Sequence, residues 1–533
     1  MPKRGNRVLA CVAAATAAVG SGVVVATAGS APPPRPIGLT PVGTYDTGLA
    51  DGSGSVTAGE TAALSKGRMY VTNSTGSTLD VVDVSDPAAP ALLRRVPLPG
   101  GPNSVDVHGD LVAVAVEASP KTDPGAVVFM NRAGDILATV PVGALPDMLT
   151  FTDDGRFVLV ANEGEPSGYN GQGVDPVGSV SIVSTTIGSP HVRTVGFADF
   201  NAGGPRHSEL PEGLRLNGPG ASVAQDLEPE YIALDEDGRT ATVTLQEASA
   251  LARIDLDTAR VTSIRALGWK DHSVPGNGLD ASDQDGRVNI RSWPVRGWYM
   301  PDAIAAFRVS GQDLLITANE GDSRADWPGF TDEGRLRGNS TNATLAIPGH
   351  DSATLRDNAN LGRLNISLTD GVDAGGVRRA IYTFGGRSAS IWTTSGRQMW
   401  DSGDAIERTI VADLGPLAGT YFNVSNSDNT FDGRSDNKGP EPEGVAVGKV
   451  SGRTYAFVGL ERQGGVVTFD VTRPDAPSLI SWTNRRDYTS AEPGPDSGPE
   501  VIHFVPRGDS PSNTPMVLVA NEVSGTVTLY RVD

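Results

Sequence analysis

One unit recurs along this chain, and its recurrence constrains the fold more than any local propensity does. Each copy opens on a Pro-acidic or Gly-acidic step, runs through a short apolar strand to a turn, and continues into a second apolar strand that ends in an Asn-Glu-like pair. The clearest copy is Pro146-Asp147-Met148-Leu149-Thr150-Phe151, a turn at Asp153-Asp154-Gly155, then Phe157 to Val160 ending in Ala161-Asn162-Glu163. Four more run from Pro229-Glu230 to Gln246-Glu247, from Pro301-Asp302 to Asn319-Glu320, from Pro442-Glu443 to Leu460-Glu461, and from Pro499-Glu500 to Asn521-Glu522. Two looser copies lie upstream, from Gly59-Glu60 to Thr72-Asn73 and from Pro102-Asn103-Ser104 to Val116-Glu117.

Units of three or four short strands cannot bury both of their faces alone, but arranged radially they can. Sustained helical periodicity is hard to find, and Gly and Pro punctuate short β-branched runs throughout. The expected fold is therefore all-β, a seven-bladed β-propeller with long inserted loops. The last unit shows only three strands before Asp533, so the extended segment Ile37 to Thr47 is expected to close the ring as its outer strand. The insertions fall at about 186–225, 265–300, 326–380 and 404–440, long enough to carry function.

The N-terminus reads as an export signal. Lys3, Arg4 and Arg7 precede an apolar or small run from Val8 to Val25, and Ala26-Thr27-Ala28 supplies an A-x-A cleavage site. The expected organisation is a signal peptide over 1–28, a Pro-rich linker over 29–36, and a single propeller domain over 37–533. No second long apolar segment follows, so no membrane span is expected after cleavage. Cys11, the only cysteine, lies within the signal, so the mature chain has neither a disulfide nor a thiolate ligand. The net charge of −20 disfavours nucleic acid and anionic membrane as partners and is compatible with cations.

The stretches GALPDMLTFTDDG, VANEGEPS, DLEPEYIAL, ITANEGDSR, FGGRS, RSDNKGPEPEGV, YAFVGLER and ANEVSGT together resemble the choice-of-anchor I family. The resemblance spans nearly all of the mature chain from about Gly59. It implies kinship with mesenchyme-specific cell-surface glycoproteins linked to biomineralisation and with bacterial proteins described as alkaline phosphatase-like. Family members typically carry a C-terminal surface anchor. This chain stops at its last strand, so a secreted, extracellular protein without an anchor is expected.

In a propeller the first strand of each blade lines the channel, and its start lies beside the end of the antiparallel second strand. The steps Glu60, Asp147, Glu230, Asp302, Glu443 and Glu500 should then crowd one channel mouth with Glu163, Glu247, Glu320, Glu461 and Glu522. Converging carboxylates raise the cost of ionising one another, so something must compensate. One compensator is Ca²⁺, which takes six to eight oxygen ligands, with Asn162, Asn319 and Asn521 as amide donors. Zinc is not expected, because His108, His191, His207, His272, His350 and His503 are scattered. The other compensator is a set of cations in the same motifs, Arg324, Arg387, Arg434, Lys438 and Arg462, pairing with carboxylates.

Two functions follow. A bound cation would polarise a phosphoryl oxygen of a phosphate ester while those cations hold the phosphate, giving metal-dependent phosphomonoester hydrolysis. Alternatively, the chain is a non-catalytic calcium-dependent extracellular or matrix protein that holds ions, glycans or proteins. The segment Asp280-Ala281-Ser282-Asp283-Gln284-Asp285-Gly286 has the texture of a calcium loop but lacks a bidentate Glu at the expected distance, leaving a calcium loop or an ordinary polar turn.

Overall fold

The computed structural model describes residues 36–533 apart from 51–56, 326, 339–343 and 491–494. The expected signal peptide and the linker up to residue 35 lie outside the described residues.

Among the described residues there are seven four-stranded sheets. They occupy residues 62–97, 102–144, 146–196, 229–266, 304–401, 442–483 and 499–532, and are called blades 1 to 7. Every ladder within these blades is antiparallel. Blade 7 takes its fourth strand from the other end of the chain: Leu39–Asp46 pairs with Thr526–Val532. This is the ring closure expected from the three-stranded final unit.

The second strand of each blade is apolar and buried on both faces, as in Leu111–Val116 and Met516–Asn521. Side chains alternate between faces along a strand, so such a strand needs a neighbour on each side. The neighbours are the adjacent blades. Val112 and Val114 of blade 2 pack with Tyr70 and Val81 of blade 1, while Ala113 and Phe129 pack with Leu149 and Val160 of blade 3. Equivalent apolar cores join blades 3 to 4, 4 to 5, 5 to 6 and 6 to 7. The seventh core joins Leu518 and Ala520 of blade 7 to Leu64 and Val71 of blade 1. Seven interfaces linking seven sheets in chain order, with the last meeting the first, make a closed propeller ring.

The insertions leave the ring at 197–228, 267–303, 320–387 and 402–441. Two of them share a core of their own, with Leu279, Trp293 and Val295 against Leu336, Leu364 and Ile366. The fourth carries the helix Ala405–Leu414, whose Ile406 and Ile410 pack into the interface of blades 5 and 6.

Candidate metal centre

The acidic steps are placed by a backbone irregularity that strand patterning does not reveal. In blades 2, 3, 4, 6 and 7 the Pro that opens the inner strand pairs with the end of the second strand, and the register then slips. The slips span Pro146 to Leu149, Pro229 to Ile232, Pro442 to Val445 and Pro499 to Val501, so Asp147, Glu230, Glu443 and Glu500 each sit inside a bulge. Bulges re-aim side chains. The residue before the Pro adopts a left-handed conformation in several blades, with φ of 46° at Leu145, 41° at Met300, 53° at Glu441 and 73° at Gly498. Such strain in non-Gly residues is held only where the surrounding structure demands it.

The carboxylates do converge. Asp147, Asp302 and Glu500 line one cavity of about 60 Å³ together with Tyr231. Burial pushes Asp147 up to about 7, assisted by the charges of Glu165, Glu60 and Glu117. Asp302, Glu443 and Glu500 rise well above the usual carboxylate range through burial, reinforced chiefly by the charge of Glu320 at Asp302, of Glu461 at Glu443 and of Glu522 at Glu500. Glu522 is raised to about 8 by burial, with Glu461 and Glu60 nearby, and burial also raises Glu60. Glu60 is the best served, its Oε1 accepting from Thr57 at 2.8 Å and from the Ser74 hydroxyl.

Two sectors of this acidic end differ in how they are compensated. Between blades 5 and 6, oxygens of Asp302, Glu320 and Glu443 lie within 4.8 Å of one another, as do those of Glu320, Glu441 and Glu461. Basic side chains enter this sector. Lys438 Nζ donates to Glu320 Oε1 at 2.5 Å and lies 3.0 Å from Glu441 Oε2. Arg434 pairs with Glu441, and Arg462 Nε lies 3.1 Å from Glu461 and 3.3 Å from Glu441. Burial works against the Glu441 charge, yet Lys438, Arg434 and Arg462 hold it well below the usual carboxylate range.

The sector between blades 3 and 4 contains Glu163, Glu230 and Glu247, whose oxygens also lie within 4.8 Å of one another. Glu230 Oε2 and Glu247 Oε2 are buried and have no hydrogen-bond partner. Burial, reinforced by mutual repulsion, pushes Glu163 and Glu230 far up. Glu247 is also raised by burial, against the pull of Arg324. Three convergent carboxylates with unspent oxygens suit a hard cation, since such ions are bound by several oxygens at once.

Other candidates prove to be committed elsewhere. Asn162 is fully buried; its Nδ2 donates to Ser179 O, Ser179 Oγ and Ser181 Oγ, and its Oδ1 accepts from Gly143 N. Asn319 likewise donates to Ser388 Oγ and Ser390 Oγ, and accepts from Thr317. The amides of Asn162 and Asn319, expected as metal ligands, here clamp the second strand to the third. Asn521 bonds Val519 O and Thr526 through Nδ2, while its Oδ1 has no hydrogen-bond partner.

Arg324 and Arg387, the expected phosphate-binding candidates, are buried and engaged by protein partners. Arg324, 2% exposed, meets Glu228 at 3.0 Å, Asp226 at 3.2 Å, the Tyr169 hydroxyl at 2.7 Å and Asn217 Oδ1 at 3.1 Å. Arg387 is held by Asp280 O, Glu407 Oε1, Ser435 O and Asn437 O.

Several members of the site escaped the repeat pattern. Glu228 and Glu441 each precede a Pro-Glu step, in Glu228-Pro229-Glu230 and Glu441-Pro442-Glu443, and each is buried beside arginine. The shared Glu-Pro-Glu string was the available signal. Lys121, which pairs with Glu165 and lies 5.0 Å from the Trp327 ring, comes from a turn without repeat character.

The profile of the choice-of-anchor I domain matches residues 60–474. Gigasin-3a of Magallana gigas is 30% identical over 190 residues, covering 34% of this chain and 67% of that protein. The mesenchyme-specific cell surface glycoprotein of Strongylocentrotus purpuratus is 28% identical over 315 residues, covering 52% of this chain but only 40% of its own length. Among solved structures, hydrazine synthase of Kuenenia stuttgartiensis aligns over 91% of this chain and 97% of that chain, with 13% identity and a TM-score of 0.44. Among the described residues no helix is long and apolar enough to cross a membrane. A ring of β-sheets carrying the family's profile over blades 1 to 6 identifies this chain as a member of the choice-of-anchor I family.

Proposed function

We propose that this protein is an extracellular calcium-binding propeller that holds a cation between blades 3 and 4 and uses the cation-loaded face to engage a matrix component. The observation that carries the reading is the pair of buried, unpartnered oxygens Glu230 Oε2 and Glu247 Oε2 beside Glu163. A buried carboxylate without a partner is costly, and a divalent ion removes that cost for several at once. The extracellular setting is in keeping with the surface-glycoprotein name of a relative. The acidic surface and inserted loops suit an extracellular protein or glycan as partner.

Metal-assisted phosphomonoester hydrolysis is the second reading. Its support is Arg462, with 28% of its side chain exposed beside Glu461, next to the carboxylate ring. Against it, Arg324 and Arg387 are sealed, and Lys438 and Arg434 are spent on Glu320 and Glu441.

Calorimetric titration of chelator-stripped protein with calcium tests the first reading. Wild type should bind calcium at this site, and Glu230→Gln with Glu247→Gln should remove that binding; unchanged binding would refute it. A phosphomonoester assay with and without calcium tests the second. Calcium-dependent turnover that is lost in Glu163→Gln would replace the binding reading with the catalytic one.

A further inference from the structure

A second group of buried oxygens lies away from the channel mouth, where the 277–291 segment meets the fourth insertion. Asp280 and Asn423 are fully buried and Asp432 is 1% exposed. Each keeps one oxygen without a hydrogen-bond partner: Asp280 Oδ1, Asp432 Oδ2 and Asn423 Oδ1. Their other polar atoms are engaged, which fixes how they face. Asp280 Oδ2 accepts from Asn289 N at 2.5 Å, and Asp432 Oδ1 accepts from the Ser435 hydroxyl. Asn423 Nδ2 donates to Glu407 Oε1 at 3.1 Å and to Ser435 Oγ at 2.8 Å.

Arg387 ties these elements into one cluster. Its Nη1 donates to Asp280 O at 2.7 Å and to Glu407 Oε1 at 3.0 Å, and its Nη2 donates to Ser435 O at 2.7 Å. The guanidinium thus compensates Glu407 and is used up in doing so. Among the described residues Asp280 and Asp432 have no cation in contact; after burial, the charge of Asp280 is the strongest influence on Asp432, raising it to about 8. Burial likewise raises Asp280 to about 7, with Glu407 and Asp285 adding to it.

We infer that Asp280, Asp432 and the Asn423 side-chain carbonyl form a second, structural site for a hard divalent cation, which pins the fourth insertion to the 277–291 segment. Two carboxylates match the charge of such an ion, and an amide oxygen is a usual ligand for it. Water would complete the shell of such an ion. The site does not make the 280–286 segment a surface calcium loop. Asp283 faces Arg363 at 3.1 Å, and Asp285 is taken up by Asn289 and Arg287. Asp285 is also buried, its side chain 3% exposed, but its oxygens are engaged, which leaves Asp280 as the acid of this segment with a free oxygen. The inference stands apart from the channel-mouth reading and needs none of its residues.

The test is equilibrium binding of calcium, and separately magnesium, to chelator-stripped full chain, with hydrogen exchange read across residues 404–439. Asp280→Asn with Asp432→Asn should lose one bound ion and the metal-dependent protection of 404–439, whereas Glu230→Gln with Glu247→Gln should keep both. Unchanged stoichiometry in the Asp280/Asp432 variant overturns the inference. So does a wild type whose 404–439 exchange ignores both metals while the Asn substitutions raise its melting temperature in chelator. That pattern would identify two carboxyls kept protonated. Should the variant fail to fold, the wild-type exchange decides alone: protection by either metal supports the site, and none refutes it.

Discussion

Lys438 Nζ meets Glu320 Oε1 at 2.5 Å across 118 residues of sequence, joining the fourth insertion to the end of the second strand of blade 5. The same ammonium lies 3.0 Å from Glu441, so one side chain neutralises two blades. It separates the basic sector of the acidic end from the open sector at Glu163, Glu230 and Glu247.

Replacing Lys438 by Met should leave Glu320 and Glu441 short of compensation and destabilise the chain by about 3–5 kcal/mol in chelator, the usual cost of stripping one partner from a buried pair. Calcium should recover much of that loss, because Asp302, Glu320 and Glu443 then form a second uncompensated triad. Denaturant unfolding with and without calcium measures both effects. A loss that calcium does not touch would argue against the ring's capacity for ions.

Stability in chelator should fall as pH rises from about 4 to about 8. Asp147 and Glu461 are raised to about 7 in the folded chain, and Glu522 to about 8, burial being the main cause. Groups raised on folding bind more protons when folded than when unfolded, so their contribution is full below the unfolded pKa and is lost as pH passes the folded one. Glu441, held low by its three cations, acts oppositely and loses its contribution as pH falls through the acid range. Calcium should flatten the alkaline fall and bind more tightly at higher pH. Melting temperatures at several pH values, with chelator or calcium, would reveal it; a chelator curve flat to pH 8 contradicts it.

Asn162→Ala should cost about 1–3 kcal/mol, since it removes a clamp and strands the half-buried Gly143 N–H. Calcium affinity should stay within error of wild type. Weakened binding at unchanged fold would return Asn162 to the ligand set.

Arg324→Leu should be more damaging, by about 3–5 kcal/mol, because Glu228 and Asp226 lose their only cation contacts among the described residues. A chemical denaturation midpoint reads this directly. A neutral outcome would contradict the cost expected of stranding these two buried acids.

The repeat was legible because it is local: a Pro-acidic step and an Asn-Glu end recur in fixed order, so blade, channel-lining strand and ring closure follow from pattern alone. Glu163 and Glu230, distant in sequence, could be placed together by that geometry. What pattern could not report was how each side chain's polar atoms are spent. Asn162 and Glu163 are neighbours at the end of one strand, where side chains alternate between faces. One turns into the blade to clamp Ser179 and Ser181, and the other turns toward Glu230 and Glu247.

The sequence alone determined the sheet class, the order of the seven units and the carboxylates crowding one end, because these depend on periodicity along the chain. Tertiary structure alone decided which charges are compensated, since that depends on what the insertions deliver. Arg324 and Arg387 looked available beside the motifs, yet loop folding surrounded them with Glu228, Asp226 and Glu407. Lys438 arrives from the insertion before blade 6 to settle Glu320, while among the described residues no base reaches hydrogen-bonding distance of Glu230 Oε2 or Glu247 Oε2. Compensation is a three-dimensional property: a few ångströms separate a satisfied carboxylate from one left without a partner, and residue order does not encode that distance.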